Sequence, residues 1–185
     1  MAVIEAISTT YLEADTTLIE WTSIPSTYEH LQIRASLRDQ GTGTYSRIMM
    51  RFGTGGGAVD ATSGNYSEQN IYAYSSTARS TGGTATHAFG YGLTADDTDP
   101  TVPGAAFAIA IINVFDYADT ARTTTYFSQG GTYVSEDYAT TYAFQAWGGG
   151  LWTNTAAIDR VAIVAQAPPY KRGSYATLYG IKAAN

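Results

Sequence analysis

Apolar and polar residues alternate one by one along several segments of this chain. The alternation is clearest over residues 30–38, and residues 47–52 repeat it. Successive side chains of a strand point to opposite faces of a sheet, so each segment predicts a strand with one buried face. Residues 39–43 contain Asp and Gly and predict a turn, which suggests that the two strands form a hairpin.

Further strands are predicted along the whole chain, and no segment of helical length shows a helical repeat. The candidates are residues 2–7, 17–21, 70–75, 88–93, 105–115, 122–128, 140–147, 158–165 and 175–181. Residues 105–115 are the most apolar run, which predicts a central strand covered on both faces. Residues 53–64, 76–85 and 95–104 are predicted to be loops or breaks. About eight to ten short strands with Gly-rich turns imply an all-β, two-sheet antiparallel β-sandwich, jelly-roll-like, formed by residues 1–185 as one domain.

Charge and cysteine content argue against several classes of function. The chain has 10 Lys and Arg against 16 Asp and Glu and lacks the basic clusters on which nucleic-acid binding depends. It has no Cys and only 2 His, so we expect no zinc site, no thiol chemistry and no cofactor. The first residues do not resemble a secretion signal. A membrane span needs about 20 apolar residues, and no stretch of the chain approaches that length. We therefore expect a protein that is made in the cytoplasm and contacts neither nucleic acid nor membrane.

Candidate catalytic groups are few, and each has a simpler structural interpretation. His30 and His87 do not adjoin a Gly-x-Ser-x-Gly elbow, and we interpret both as structural histidines. Asp116 and Asp119 flank Tyr117 and could form a glycosidase-like pair, although Asp side chains also cap turns. The acidic run at 96–99 could hold calcium but lacks the pattern of an EF-hand loop. We predict no catalytic and no metal site, and therefore no enzyme.

Aromatic residues are abundant, with 15 Tyr, 3 Trp and 6 Phe. Tyr and Trp are enriched where proteins or sugars bind, because their rings give a large apolar area with a polar edge. We single out Tyr117, Tyr126, Trp147 and Trp152 as candidates for a glycan-binding or subunit-interface surface. The alternative is that these rings fill the core of the sandwich.

Four blocks of sequence resemble virion structural proteins of tailed bacteriophages whose individual roles are uncharacterised. They are Ile-Pro-Ser-Thr-Tyr-Glu-His-Leu-Gln-Ile-Arg at 24–34, Asp-Tyr-Ala-Asp-Thr at 116–120, Leu-Trp-Thr-Asn-Thr-Ala-Ala-Ile at 151–158 and Gly-Ser-Tyr-Ala-Thr-Leu-Tyr-Gly-Ile at 173–181. The blocks are spread over most of the chain, but residues 53–103 match no segment of that family. The resemblance brings no catalytic motif with it.

The resemblance implies a component of the virion, made in the cytoplasm of the host. A head decoration (cement) protein is our first expectation. Its expected partners are other copies of itself, as a trimer, and major capsid or tail proteins. A fibre or tail-tip protein that stacks host glycans on surface aromatics is the alternative, and a glycan hydrolase is a third. The low charged fraction of 14% suits a surface that neighbouring subunits cover.

The N-terminal residues 1–8 are apolar enough to form an arm on a neighbouring subunit, with Val3, Ile4 and Ile7 as its contact residues. On that hypothesis, deletion of the segment abolishes assembly and leaves the domain folded.

Overall fold

The computed structural model describes residues 3–40, 46–74, 77–93, 107–137 and 140–182, and the regular structure in these ranges is entirely β. The described residues form twelve strands: β1 (Val3–Tyr11), β2 (Leu18–Trp21), β3 (His30–Leu37), β4 (Ser46–Gly53), β5 (Tyr66–Tyr74), β6 (Thr77–Ala85), β7 (Ala88–Leu93), β8 (Ala108–Phe115), β9 (Thr124–Asp137), β10 (Thr140–Trp152), β11 (Arg160–Ala165) and β12 (Tyr175–Lys182).

The strands form two antiparallel sheets. The large sheet has eight strands in the order β1-β12-β3-β8-β9-β10-β5-β6, and the small sheet has four in the order β2-β11-β4-β7. When the hairpins β5–β6 and β9–β10 are left out, the remaining strands pair as β1 with β12, β2 with β11, β3 with β8 and β4 with β7. One long antiparallel ribbon rolled over itself gives this pairing, which is that of a jelly roll. The predicted all-β sandwich is confirmed.

The two hairpins are insertions that widen one sheet. The hairpin β5–β6 interrupts the ribbon between β4 and β7, and β9–β10 interrupts it between β8 and β11. Both join the large sheet beyond β8, where β9 pairs with β8 and β10 pairs with β5. The outer face of this sheet is therefore partly jelly roll and partly insertion.

One hydrophobic core lies between the sheets, and the predicted alternation fills it. In β3, the side chains of Leu31, Ile33, Ala35 and Leu37 point inward and are buried. Each fully buried Leu or Ile contributes about 1.5–3 kcal/mol relative to an exposed one. In β4, Ile48, Met50 and Phe52 do the same from the opposite sheet.

The predicted hairpin between the first two alternating segments is wrong. The strand β3 pairs with β12 and β8, whereas β4 pairs with β11 and β7, so the two lie in different sheets. Each has one apolar face, and two such strands bury that face equally well by facing each other across the core. After β3 the chain leaves the large sheet, and Asp39 forms an isolated bridge with Tyr170.

Three further expectations need correction. The strand β8 buries Ala110 and Ile112 on its inner face, but Ile109 on its outer face is 64% exposed, so the apolar run is covered on one side only. Residues 77–85, predicted to be part of a loop, form the edge strand β6. Both β9 and β10 are longer than predicted. The break predicted at 95–104 lies outside the described residues.

The N-terminal segment is a strand of its own sheet and not a free arm. β1 pairs with β12 from Val3 opposite Lys182 to Tyr11 opposite Tyr175. Ile7 packs against the core, while Ile4 is exposed. The prediction that this segment forms an arm on a neighbouring subunit is therefore wrong for the described residues 3–8, because they already have a partner strand within the chain.

Candidate functional site

Four large apolar side chains are exposed on the outer face of the large sheet, on strands that neighbour one another in the order β8-β9-β10-β5. They are Ile71 on β5, Ile109 on β8, Phe127 on β9 and Trp147 on β10, with exposed fractions of 57%, 64%, 41% and 45%. We call this set the outer patch. Clustered exposed apolar residues, unlike scattered ones, mark surfaces at which a protein binds something else.

A groove of about 210 Å³ crosses the outer patch. We call it the Trp147 groove, and it is lined by Ile109, Ala110, Ile111, Gln129, Gly130, Gly131, Gln145 and Trp147. One wall comes from β8 of the jelly roll and the other from β10 of the inserted hairpin. Between them, Gly131 of β9 lies opposite both Ile109 and Gln145 and has no side chain to fill the space. The groove therefore forms where the insertion joins the jelly roll.

Strand register explains which side chains meet in the groove. Gln129 lies opposite Ile111 on one side and opposite Trp147 on the other. Gln145 lies opposite Gly131, two positions before Trp147 and on the same face of β10. The Trp147 ring is therefore flanked by two exposed amide side chains.

The lining of the groove carries no charge, because none of its residues is ionisable. Arg34 is a nearby cation on this face, since it lies opposite Ile111 on the neighbouring strand β3. Its guanidinium lies 5.0 Å from the centre of the Tyr179 ring, and its Nε donates a hydrogen bond of 2.7 Å to Gln32. Arg34 is thus already engaged beside the groove.

Of the four aromatic residues singled out from the sequence, the structure places only Trp147 on the surface. Tyr117, Tyr126 and Trp152 are buried. The Tyr117 hydroxyl donates to the Pro25 carbonyl, and the Tyr126 hydroxyl donates to the Ser67 carbonyl at 3.1 Å. These three rings belong to the core and cannot stack on an external ligand, so their proposed surface role is wrong.

Asp60 anchors the buried Trp152 and was not recognised from the sequence. Its Oδ2 accepts hydrogen bonds from Trp152 Nε1 at 2.8 Å and Asn65 Nδ2 at 2.7 Å, and its Oδ1 accepts one from the Thr62 amide at 2.8 Å. Burial opposes the charged form, but these hydrogen bonds outweigh it and lower the pKa of Asp60 to about 2.

His30 lies between two carboxylates at one end of the sandwich. Atoms of Glu29, His30 and Asp116 that could hold a metal ion lie within 4.8 Å of one another. However, His30 Nδ1 accepts a hydrogen bond of 3.1 Å from the Asp116 amide, so one ring nitrogen is already engaged. Nε2 lies 3.9 Å from Glu29 Oε1.

The other candidate groups lie in turns or outside the described residues. Asp119 Oδ1 accepts a hydrogen bond of 2.7 Å from the Ala121 amide and its Oδ2 pairs with Arg122, which is the turn chemistry expected for it. His87 precedes β7, where burial and the nearby cations Arg51 and Arg47 lower its pKa to about 4, so the ring is neutral at pH 7. The acidic run at 96–99 is not described.

Sequence reasoning missed Ile71, Ile109, Gln129 and Gln145. For Gln145 the available signal was parity, because residues an even number of positions from Trp147 in one strand share its face. The other three lie on β5, β8 and β9, whose pairing with one another the sequence does not reveal.

The described residues include no helix long and apolar enough to cross a membrane. In comparisons with known proteins, no family model, curated protein or solved structure matches the chain.

Proposed function

We propose that this chain is a non-enzymatic structural protein of a bacteriophage particle, a capsid decoration protein that binds neighbouring subunits through the outer face of its large sheet. The observation that carries the proposal is the outer patch, where Ile71, Ile109, Phe127 and Trp147 are exposed together. The sequence blocks that resemble phage virion proteins and the low charged fraction of 14% support it.

Such a protein acts by burial of surface. An Ile or Phe side chain removed from water contributes about 1.5–3 kcal/mol, so several of them can hold a subunit in place. Repetition around a symmetry axis, as in a trimer, multiplies the contact. A shell whose subunits are bridged in this way resists the pressure of the packaged genome.

Copy number in purified phage particles tests the proposal. Quantitative mass spectrometry should find the chain at a stoichiometry comparable to that of the major capsid protein. A particle preparation that lacks the chain contradicts the proposal, as does the release of reducing sugar by the purified protein.

A second candidate is a fibre or tail-tip protein that stacks host glycans. The observation in its favour is the exposed Trp147 ring flanked by Gln129 and Gln145. In that case the copy number is expected to match that of the tail proteins, far below that of the capsid subunit.

A further inference from the structure

We propose that the Trp147 groove binds the ring of a neutral sugar, with the indole of Trp147 stacked on the ring and the amides of Gln129 and Gln145 bonded to its hydroxyls. The inference rests on the second candidate function, glycan binding through Trp147, and deepens it by naming the class of sugar and the groups that bind it. It does not depend on the capsid contacts of the first candidate.

The apolar part of the groove suits one face of a sugar ring. A pyranose exposes a patch of C–H groups, and an indole that is 45% exposed offers a flat surface of matching kind. Ile109 and Ile111 form the opposite wall, and Gly131 between the walls leaves the ring room to lie against the backbone.

The polar part of the groove suits hydroxyl groups. A Gln amide offers two N–H donors and one carbonyl acceptor, while a hydroxyl is both donor and acceptor. Gln129 lies across the strand pair from Trp147, and Gln145 lies two positions before it, so hydroxyls at the rim of a stacked ring are within reach of amides on two sides. An apolar segment of a partner protein would instead bury both amides without partners, which is unfavourable.

The charge and the size of the groove restrict the class of ligand further. No lining residue is ionisable, and the neighbouring Arg34 is engaged with Tyr179 and Gln32, so no charged group of the lining contacts a carboxylate, sulfate or phosphate in the groove. The groove has a volume of about 210 Å³. Pockets for drug-sized ligands are larger, at about 300–1,000 Å³. A single neutral ring of a longer glycan therefore fits better than a helix or a charged saccharide.

Tryptophan fluorescence and calorimetry test the inference on the isolated protein. Trp21 and Trp152 are buried, so a soluble quencher such as acrylamide acts mainly on Trp147. We expect at least one of maltose, lactose and chitobiose to protect Trp147 from quenching and to give a calorimetric binding signal, and digalacturonate to give neither. Failure of all three neutral sugars overturns the inference, as does tighter binding of the charged one.

Three variants identify the site. Trp147→Ala should weaken sugar binding by about tenfold or more, because the stacking surface is lost. Gln145→Leu keeps the bulk but removes the amide, and should weaken binding by about fivefold. Ile4→Ala is the matched control, since this side chain is 51% exposed on the edge strand β1, outside the groove lining, and it should leave sugar affinity unchanged.

The variants also separate the two kinds of ligand. If Gln145→Leu binds the sugar equally well or better, the groove recognises an apolar ligand and the inference is wrong. Because the titrations use the purified chain, a negative result leaves the copy-number test of the virion role unaffected. Likewise, absence of the chain from particles leaves the sugar result standing.

Discussion

Asp60 links the charge state of one residue to the stability of the core. Its hydrogen bonds keep its pKa at about 2, below the ordinary Asp value of 3.8 that is expected for the unfolded chain. Because the folded pKa is depressed, the stabilisation is fully present above about pH 4 and is lost as the pH falls towards 2. We expect Asp60→Asn to cost about 1–2 kcal/mol at pH 7 and to flatten this acid dependence.

Urea unfolding at a series of pH values measures both effects. Glu13→Gln, at an exposed acidic residue, is the control and should leave the acid dependence as in the parent protein. An Asp60→Asn variant with the parent's stability at pH 7 would show that the carboxylate is replaceable there.

Gly150 sets how closely β10 and β5 approach each other. A Cβ atom at this position would overlap the carbonyl oxygen of Ser67 and lie 2.6 Å from the Tyr126 hydroxyl. Since a backbone atom cannot swing away, Gly150→Ala should destabilise the protein by about 1–3 kcal/mol, measured by urea unfolding. Gly57→Ala, whose Cβ would lie 3.3 Å from the Thr54 carbonyl in an exposed loop, is expected to cost less. Equal losses in both variants would contradict this account of Gly150.

The same glycine run explains why the aromatic site was only partly predictable. Trp147 and Trp152 stand five positions apart, so in one continuous strand they must face opposite sides of the sheet. Three consecutive glycines predict that the strand ends at 147, which leaves the sequence silent on the face that Trp152 occupies. The strand continues through Gly148–Gly150 because both neighbouring strands pair with it there, which no local signal reveals.

Two isoleucines of β1 test whether this strand is a paired edge strand of the large sheet. Ile7 packs against the core, whereas Ile4 in the same strand is 51% exposed. Placing a charge against the core is costly, so Ile7→Asp should lower the free energy of unfolding by about 2 kcal/mol, and Ile4→Asp by less than about 0.5 kcal/mol. Thermal unfolding of the two variants provides the comparison. Equal stability of both variants would restore the hypothesis of a free arm.

The sequence predicts which faces of the strands are apolar but not which strands pair. The inward row of β3 follows from alternation alone, yet its partners β8 and β12 are far away along the chain. The sequence pattern predicts that β3 pairs with β4, the next alternating segment, although β4 belongs to the other sheet. The strand β6 was missed for a related reason, since its Thr, Ser and Gly residues are typical of loops and only its pairing with β5 makes it a strand.

Segments that are far apart along the chain meet at one end of the sandwich. The Ile24 amide donates to the Asp159 carbonyl at 2.9 Å, and the Ile158 amide donates to the Tyr117 carbonyl at 2.8 Å. Asp116 adds its amide hydrogen bond to His30. The residues that line the Trp147 groove lie in other segments. These contacts therefore hold the scaffold together, while the groove is built from β8, β9 and β10.

At the scale of the whole molecule, the insertions give the sandwich one sheet twice as wide as the other, with eight strands against four. The inner side of the widened region packs partly on β7, and its outer side carries three of the four residues of the outer patch, Ile71, Phe127 and Trp147. A decoration protein that binds through this face should lose its place in the particle when the patch becomes polar, without losing its fold. We therefore expect the double variant Ile71→Ser and Phe127→Ser to fall at least about tenfold in copy number per particle, because each side chain contributes about 1.5–3 kcal/mol on burial.

The stability of the isolated double variant should stay within about 1 kcal/mol of the parent, since both side chains are already exposed. Ile4→Ser is the matched control, because Ile4 is similarly exposed but lies on β1 at the edge of the sheet, far from the insertions. Mass-spectrometric counting of purified particles compares the three proteins. Full incorporation of the double variant would mean that the chain binds the particle through another surface. Loss of the Ile4 variant alone would instead locate the contact at the β1 edge.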